Sequence, residues 1–520
     1  MRNTCRFWLP IFLLGFATVT VSAQSFRVQC PTSTITHPNS ANNNAEPAYT
    51  APTTLTPGAN GYLTPSANVN GAIKCQQIAG GDGYSTMGDG TQTYMFSFGP
   101  LSGLADIANG LPGTQFPSVF NTPYSGTPMP GDPATTGMTY NGAIGQVPDA
   151  DAQAAGLCGG FGQPSCIDGH VDPRQIMDVG VMNGNIPAPL MAIDEDDEFF
   201  LTLTNVGMIM RPDLFEQHTV HFHGYPNASS FYDGVPDASV AINIGGSFTY
   251  YYLAPDAGTY FWHCHITPPE HLQMGMVGQI YVRPRQNRVP ATTALYAALQ
   301  TQQTDLRTAC NSAVDILCTN PLPAVNTGAM GGGKYAYNDG DGSTAYDVEY
   351  PIQIHGFDPN FHFVGMTFNP EGFTDMKDKY FLLNGRSYPD TVTPGALQTV
   401  SADGVKHFSQ PLPTIINIPA GQKALLRISD LDVTEYQTLA SLGIPMKVIG
   451  YNAKLLRDQA GNNLYYTTNS ITLAGGESLD VILDSTGVPS GTYYLYTPNL
   501  DHLSNDAENF GGLMTEVIVK

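Results

Sequence analysis

From residue 175 onward, apolar and polar positions alternate in short runs such as "FFLTLTNV" (199–206) and "KALLRISD" (423–430). Gly, Pro, Asn and Asp punctuate the runs, and a period of two between turn residues is the mark of half-buried antiparallel strands. The pattern also repeats itself. "VMNGNIPAPL" at 181 matches "LLNGRSYPDT" at 382, "GGSFTYYYLAPDAGTYFW" at 245 matches "GGESLDVILDSTGVPSGTYYLY" at 475, and "GMVGQIYVRP" at 275 matches "GGLMTEVIVK" at 511. Self-similarity on this scale predicts an all-β chain of two related sandwich or barrel domains, at 91–285 and 343–520. Residues 24–90 and a long insertion at 107–175 are rich in Asn, Thr, Pro, Ala and Gly and read as loops. The connector, 286–342, contains "ATTALYAALQTQQTDLRTACNSAVDILC" (291–318), whose Ala, Leu and Gln content predicts helix. "AMGGGK" (329–334) lacks the flanks of a phosphate loop and reads as a flexible linker.

Composition narrows the setting. A chain of 520 residues exceeds one core, and 42% hydrophobic content is enough for several. Residues 1–23 read as a secretory signal: Arg2 and Arg6, the apolar run "FWLPIFLLGFATVTV", then Val21-Ser22-Ala23 as a cleavage site. No later stretch approaches the roughly 20 apolar residues that a span needs, so an exported protein with no membrane span is expected, periplasmic or extracellular. Export implies an oxidising compartment. With Cys5 removed, Cys30, Cys75, Cys158, Cys166, Cys264, Cys310 and Cys318 remain, and neighbour pairing (30–75, 158–166, 310–318) is one of fifteen connectivities for the six cysteines other than Cys264. A 310–318 bridge requires a bend, since eight helical residues span about 12 Å. The formal net charge of −23 argues against nucleic acid and favours cationic partners or metal ions, beside its plain use in solubility. "NAS" at 227–229 is a glycosylation acceptor pattern only in a eukaryotic secretory route.

The candidate chemistry sits in two stretches of the first repeat, "HTVHFHG" (218–224) and "FWHCHITPPEHLQMGM" (261–276). In a strand, His221 and His223 point to one face, and His263 and His265 flank Cys264 in the same manner. Two such strands present four imidazoles on one face and Cys264 on the other. A thiolate, two imidazoles and a weak thioether make the trigonal blue-copper site, and His218, Cys264, His271 and Met276 supply that set. Met274, three residues past His271, is the weaker axial candidate. Asp213, Glu216 and Glu270 lie near these ligands and read as a solvated acidic rim, with steering of a cationic donor as the functional alternative.

On these motifs the chain resembles the multicopper oxidase superfamily, laccases among them, over about 175–285 and 343–520. The resemblance implies cupredoxin-like Greek-key domains and copper as cofactor. It assigns His218, Cys264, His271 and Met276 to a type 1 copper. It assigns His221, His223, His263 and His265 to half of a catalytic copper cluster that takes electrons relayed from Cys264, with oxygen as the acceptor. Five residues, "ITPPE", separate His265 from His271 where the family usually has three. The second repeat has Ile444, Lys447 and Ile449 opposite His218, His221 and His223, and Tyr496, Thr497 and Pro498 opposite His263, Cys264 and His265. It has lost the motif, and its histidines, His355, His362, His407 and His502, read as ordinary surface or loop residues. The expectation is therefore a secreted copper oxidoreductase with an electron donor of unidentified class and a neighbouring chain that completes the cluster. A blue-copper electron carrier, a nitrite-reductase-like enzyme with one three-histidine copper, and a structural protein with a relict site are the alternatives.

Overall fold

Alternation becomes strand pairing in two β-sandwiches. The computed structural model describes residues 28–59, 61–122, 142–144, 173–224, 229–254, 256–305, 321–367, 372–400 and 404–520. Residues 1–23, read above as a secretory signal, and Cys158, Cys166, Cys310 and Cys318 lie outside the described residues.

In the first sandwich one sheet is built of β1 (Ile73–Thr86), β2 (Gln92–Pro100), β4 (Glu198–Asn205) and β6 (Ser247–Leu253), in the order β2-β1-β4-β6. The facing sheet runs β3-β8-β7-β5, with β3 Met191–Asp194, β5 His221–Phe222, β7 Gly258–His263 and β8 Val277–Arg283. Their inner faces enclose Phe96, Phe98, Leu201, Leu203, Tyr250, Trp262 and Ile280. The expected boundary at 91 needs correction. β1 begins at Ile73 inside the segment read as loop, pairs parallel with β4 and antiparallel with β2, and is almost wholly buried. Its "GGDGYST" end hid it, because glycine is depleted in strands. Gly80 is there for a packing reason: a Cβ on it would lie 2.6 Å from Cδ2 of His218. The residues before β1 are tied down too, by the Cys30–Cys75 disulfide and by the buried pair His37–Glu198 at 2.7 Å.

The second sandwich repeats the plan. β9 (Val348–Phe357), β10 (Tyr380–Leu383), β12 (Lys423–Asp430), β14 (Met446–Tyr451) and β16 (Glu477–Asp484) form the path β14-β16-β12-β9-β10, extended by short edge strands. The facing sheet runs β11-β18-β17-β13-β15, with β11 Ile416–Ile418, β13 Gln437–Leu442, β15 Ser470–Leu473, β17 Gly491–Tyr496 and β18 Met514–Val519. The parallel pairs β1/β4 and β3/β8 of the first unit reappear as β9/β12 and β11/β18.

Three helices matter: α1 (Pro268–Gln273), between β7 and β8; α2 (Leu295–Gln302), which carries the helix expected in the connector up to 302; and α3 (Pro359–Gly365), after β9. The two sandwiches share a core, in which Phe261, Leu272 and Val277 pack with Phe357, Tyr380, Leu382 and Leu431. Buried polar links cross the same seam: Gln279 Nε2 donates to Arg427 O (3.0 Å) and Thr259 Oγ1 to Asp480 Oδ1 (2.6 Å).

Candidate metal centre

β5 and β7 pair antiparallel with His221 opposite His263 and Phe222 opposite Trp262. The register sends the imidazoles outward and Phe222 and Trp262 into the core, as strand alternation requires. At the end of β7 the chain turns, and Cys264 faces the interior on the side away from the imidazoles.

Cys264 is free and fully buried. Its Sγ lies 3.2 Å from Nδ1 of His271 and 4.0 Å from Nδ1 of His218, and the three ligand atoms fall within 4.8 Å of one another. Thr219 N–H also points at the sulfur, at 3.4 Å. Burial pushes the Cys264 thiol up, but the His271 charge and the hydrogen bonds from His218 and His271 outweigh it and hold the thiol well below its usual value. Burial lowers His271 while the adjacent thiolate raises it, and the net is a pKa of about 9. Outside the ring, His271 Nε2 is 3.6 Å from Glu216 Oε2, so Glu216 is the acidic neighbour that reaches His271, whereas Asp213 is engaged by Arg211 at 2.9 Å. Met276 is fully buried in the same core, and its carbonyl accepts from Cys264 N at 3.2 Å. Met274 is buried in that core too, and its thioether lies 3.2 Å from where a Cβ on Gly365 would sit.

The second donor set is His221, His223 and His263, again with ligand atoms within 4.8 Å. Two carbonyls fix the tautomers. His221 Nδ1 donates to Asp233 O (2.6 Å) and His263 Nδ1 to Cys264 O (2.8 Å), which leaves both Nε2 atoms as acceptors for a metal. His263 Nε2 stands 2.9 Å from His223 Nε2. Burial depresses His263 to about 3 and His223 to about 4, so both are neutral at physiological pH, the form that binds metal. His265 is adjacent without joining the set; its ring centroid is 5.0 Å from that of His221 and 5.7 Å from that of His263. A buried thiolate with two imidazoles suits copper, and three neutral imidazoles suit it as well. The residues present therefore fit the metal.

A cavity of about 500 Å³ opens beside His223 and His263 and is walled by Pro268, Pro269 and Leu272 and by residues 431–436 and 474–476 of the second unit. Among the described residues that wall carries Asp432 and Glu435 and no histidine of the second unit. A smaller cavity of about 190 Å³ borders the other side of His223. The second unit's histidines correct the surface reading, since His355, His362, His407 and His502 are all buried. His502 bridges Gln437 and Glu435, both at 2.9 Å, and stacks on Phe381; His355 Nδ1 meets Leu431 O at 3.2 Å. Four residues around the site escaped sequence reading: Thr219, Asp233, Gln273 and Asp432. Thr219 and Gln273 lie inside the two quoted motifs, whereas Asp233 and Asp432 arrive from elsewhere in the fold.

Residues 168–287 match the multicopper oxidase family. The chain is 34% identical over 109 residues to a laccase of Aspergillus fumigatus, a stretch covering 21% of this chain and 17% of that protein. It is 35% identical over 109 residues to a copper-containing nitrite reductase of Rhizobium meliloti, covering 20% of this chain and 26% of that protein. Blue copper oxidase from Nitrosomonas europaea superposes at a TM-score of 0.48 with 17% identity, over 86% of this chain and 85% of that one. The chain thus aligns with about a sixth to a quarter of the length of these curated relatives.

Proposed function

We propose that this chain is a secreted copper oxidoreductase of the multicopper oxidase superfamily, the family that residues 168–287 match, and that it receives single electrons at His218, Cys264, His271 and Met276 and delivers them to a second centre at His221, His223 and His263. The observation that carries the reading is the pair of donor sets standing back to back across one peptide, with His263 Nδ1 bonded to the carbonyl of Cys264 at 2.8 Å. Copper would supply one-electron redox chemistry at the first set and reduction of an acceptor such as oxygen at the second. The chain's own residues do the rest. The carbonyl of Cys264 orients His263, that of Asp233 orients His221, and the apolar enclosure keeps water from the thiolate. Glu216, at the outer edge of His271, offers a carboxylate to a cationic donor. His265, outside that set but with its ring centroid 5.0 Å from that of His221, would add a fourth imidazole beside the second centre. The second unit brings no histidine to the cavity among the described residues, which supports a centre short of the family's full cluster and a neighbouring chain that completes it. The Cys30–Cys75 disulfide supports export.

Metal analysis, visible and EPR spectra and oxygen uptake on the purified homogeneous protein test this. Two or more coppers per chain, with an intense thiolate-to-copper band and weak oxygen uptake, are expected. One copper per chain, unchanged when His221 and His263 are replaced, would leave only the electron carrier.

A further inference from the structure

The helix that presents His271 is not self-supporting. α1 has six residues, begins after Thr267 in the left-handed region (φ 37°) and has no side-chain cap; a helix this short has too few internal hydrogen bonds to hold its shape alone. Its last residue, Gln273, is fully buried and uses every polar group of its carboxamide. Nε2 donates to Asp378 Oδ1 (2.9 Å), and Oε1 accepts from the Asp358 N–H (2.8 Å). The Gln273 carbonyl also faces His362 Nε2 at 2.9 Å. All three partners belong to the second unit, between β9 and β10. Met274 continues the contact against Gly365 of α3.

Each partner is itself held. Asp358 caps α3, accepting from Asn360 N (2.8 Å) and Phe361 N (3.2 Å), and its other oxygen takes Lys377 N (2.8 Å). Asp378 accepts from the Thr434 hydroxyl and lies beside Asp432, the two Oδ2 atoms being 2.2 and 2.7 Å from where a Cβ on Gly356 would be. Burial, and next the Asp432 charge, push Asp378 well above the carboxylate range. Asp378 thus accepts from Gln273 at Oδ1 while its Oδ2 faces Thr434 and Asp432.

We infer that Gln273 is a positioning residue for the first copper site, and that the second unit, which carries no copper motif, serves as the clamp that fixes the copper loop through Asp358, His362 and Asp378. The inference rests on reading His218, Cys264, His271 and Met276 as a copper site. Gln273 sits between His271 and Met276, so releasing it frees two ligands at once. Loss of an outer-shell partner of this kind lowers metal affinity by roughly 10- to 100-fold.

The test compares wild type, Gln273→Met, Asp378→Ala and Asp378→Asn. In the copper-loaded proteins, Gln273→Met and Asp378→Ala should lose copper to a chelator roughly tenfold faster or more and show altered thiolate-to-copper bands. Asp378→Asn, whose carboxamide oxygen accepts from Gln273 Nε2 as Oδ1 does, should restore the wild-type rate. In copper-free Gln273→Met, amides of 270–276 should exchange hydrogen faster while β9 and β12 stay protected. Unchanged exchange in copper-free Gln273→Met, or a wild-type rate of copper release from copper-loaded Gln273→Met, overturns the clamp. Wild-type protein that takes up no copper, with the loop still deprotected in Gln273→Met, overturns the copper reading and not the clamp.

Discussion

Gly80→Ala adds one methyl group to a strand that sequence reading took for loop, and it should remove the blue copper. The new Cβ would stand 2.6 Å from Cδ2 of His218, 3.2 Å from its Cγ and 3.5 Å from its Cβ. Carbon atoms rest at about 3.5–4.0 Å, so the ring or the strand must yield by about 1 Å. β1 is locked by β4 on one side and β2 on the other, whereas His218 is held by a bridge to Ile242 and by ring packing against His271. The imidazole is therefore the part that moves. Its Nδ1 is 4.0 Å from the sulfur, and a displacement of about 1 Å is several times the roughly 0.2 Å tolerance of a metal–ligand distance. Overpacking of this kind also costs about 1–3 kcal/mol of stability. The assay is copper per chain, thiolate-to-copper absorption and thermal unfolding, with Gly491→Ala as control, where an added Cβ meets nothing nearer than 3.9 Å. Folded Gly80→Ala protein with full copper and an unaltered blue band would refute both the contact and the ligand role of His218.

Cys264→Ser and His271→Ala should each abolish the thiolate-to-copper band. Met276→Leu should keep the colour and raise the reduction potential in a redox titration, because a weak axial thioether tunes rather than holds the metal; an unchanged spectrum in Cys264→Ser would end the blue-copper reading. Acid should destabilise the copper-free protein in part through His362, which burial holds at about pKa 4. An unfolded histidine titrates near pH 6.5, so between these values the unfolded chain binds the extra proton. Stability then falls as pH drops from 6.5 towards 4, by about 2 kcal/mol at pH 5 from this residue. His362→Gln should flatten that slope in denaturant titrations at pH 7 and pH 5, and an equal slope in both proteins would reject the assignment.

The donor residues, their spacing and the internal repeat were legible because each is local. A strand's period of two puts His221 and His223 on one face and Cys264 opposite its flanking histidines whatever the rest of the chain does. The loss of the motif from the second repeat was legible for the same reason, residue against residue. What stayed hidden depends on contacts between segments far apart in sequence. β1 looked like loop because its glycines answer to residues distant in sequence, Gly80 to His218, Gly81 to Val206 and Gly83 to Gly184, rather than to any strand propensity of their own. The second unit's histidines looked exposed because burial is decided by what packs over a residue, as when Phe381, Gln437 and Glu435 enclose His502. The same holds for the cavity wall at Asp432 and Glu435 and for the carboxamide of Gln273. Donor chemistry is written in a few consecutive residues, but the geometry that turns donors into a site is set where two sandwiches meet, and only the tertiary structure decides that.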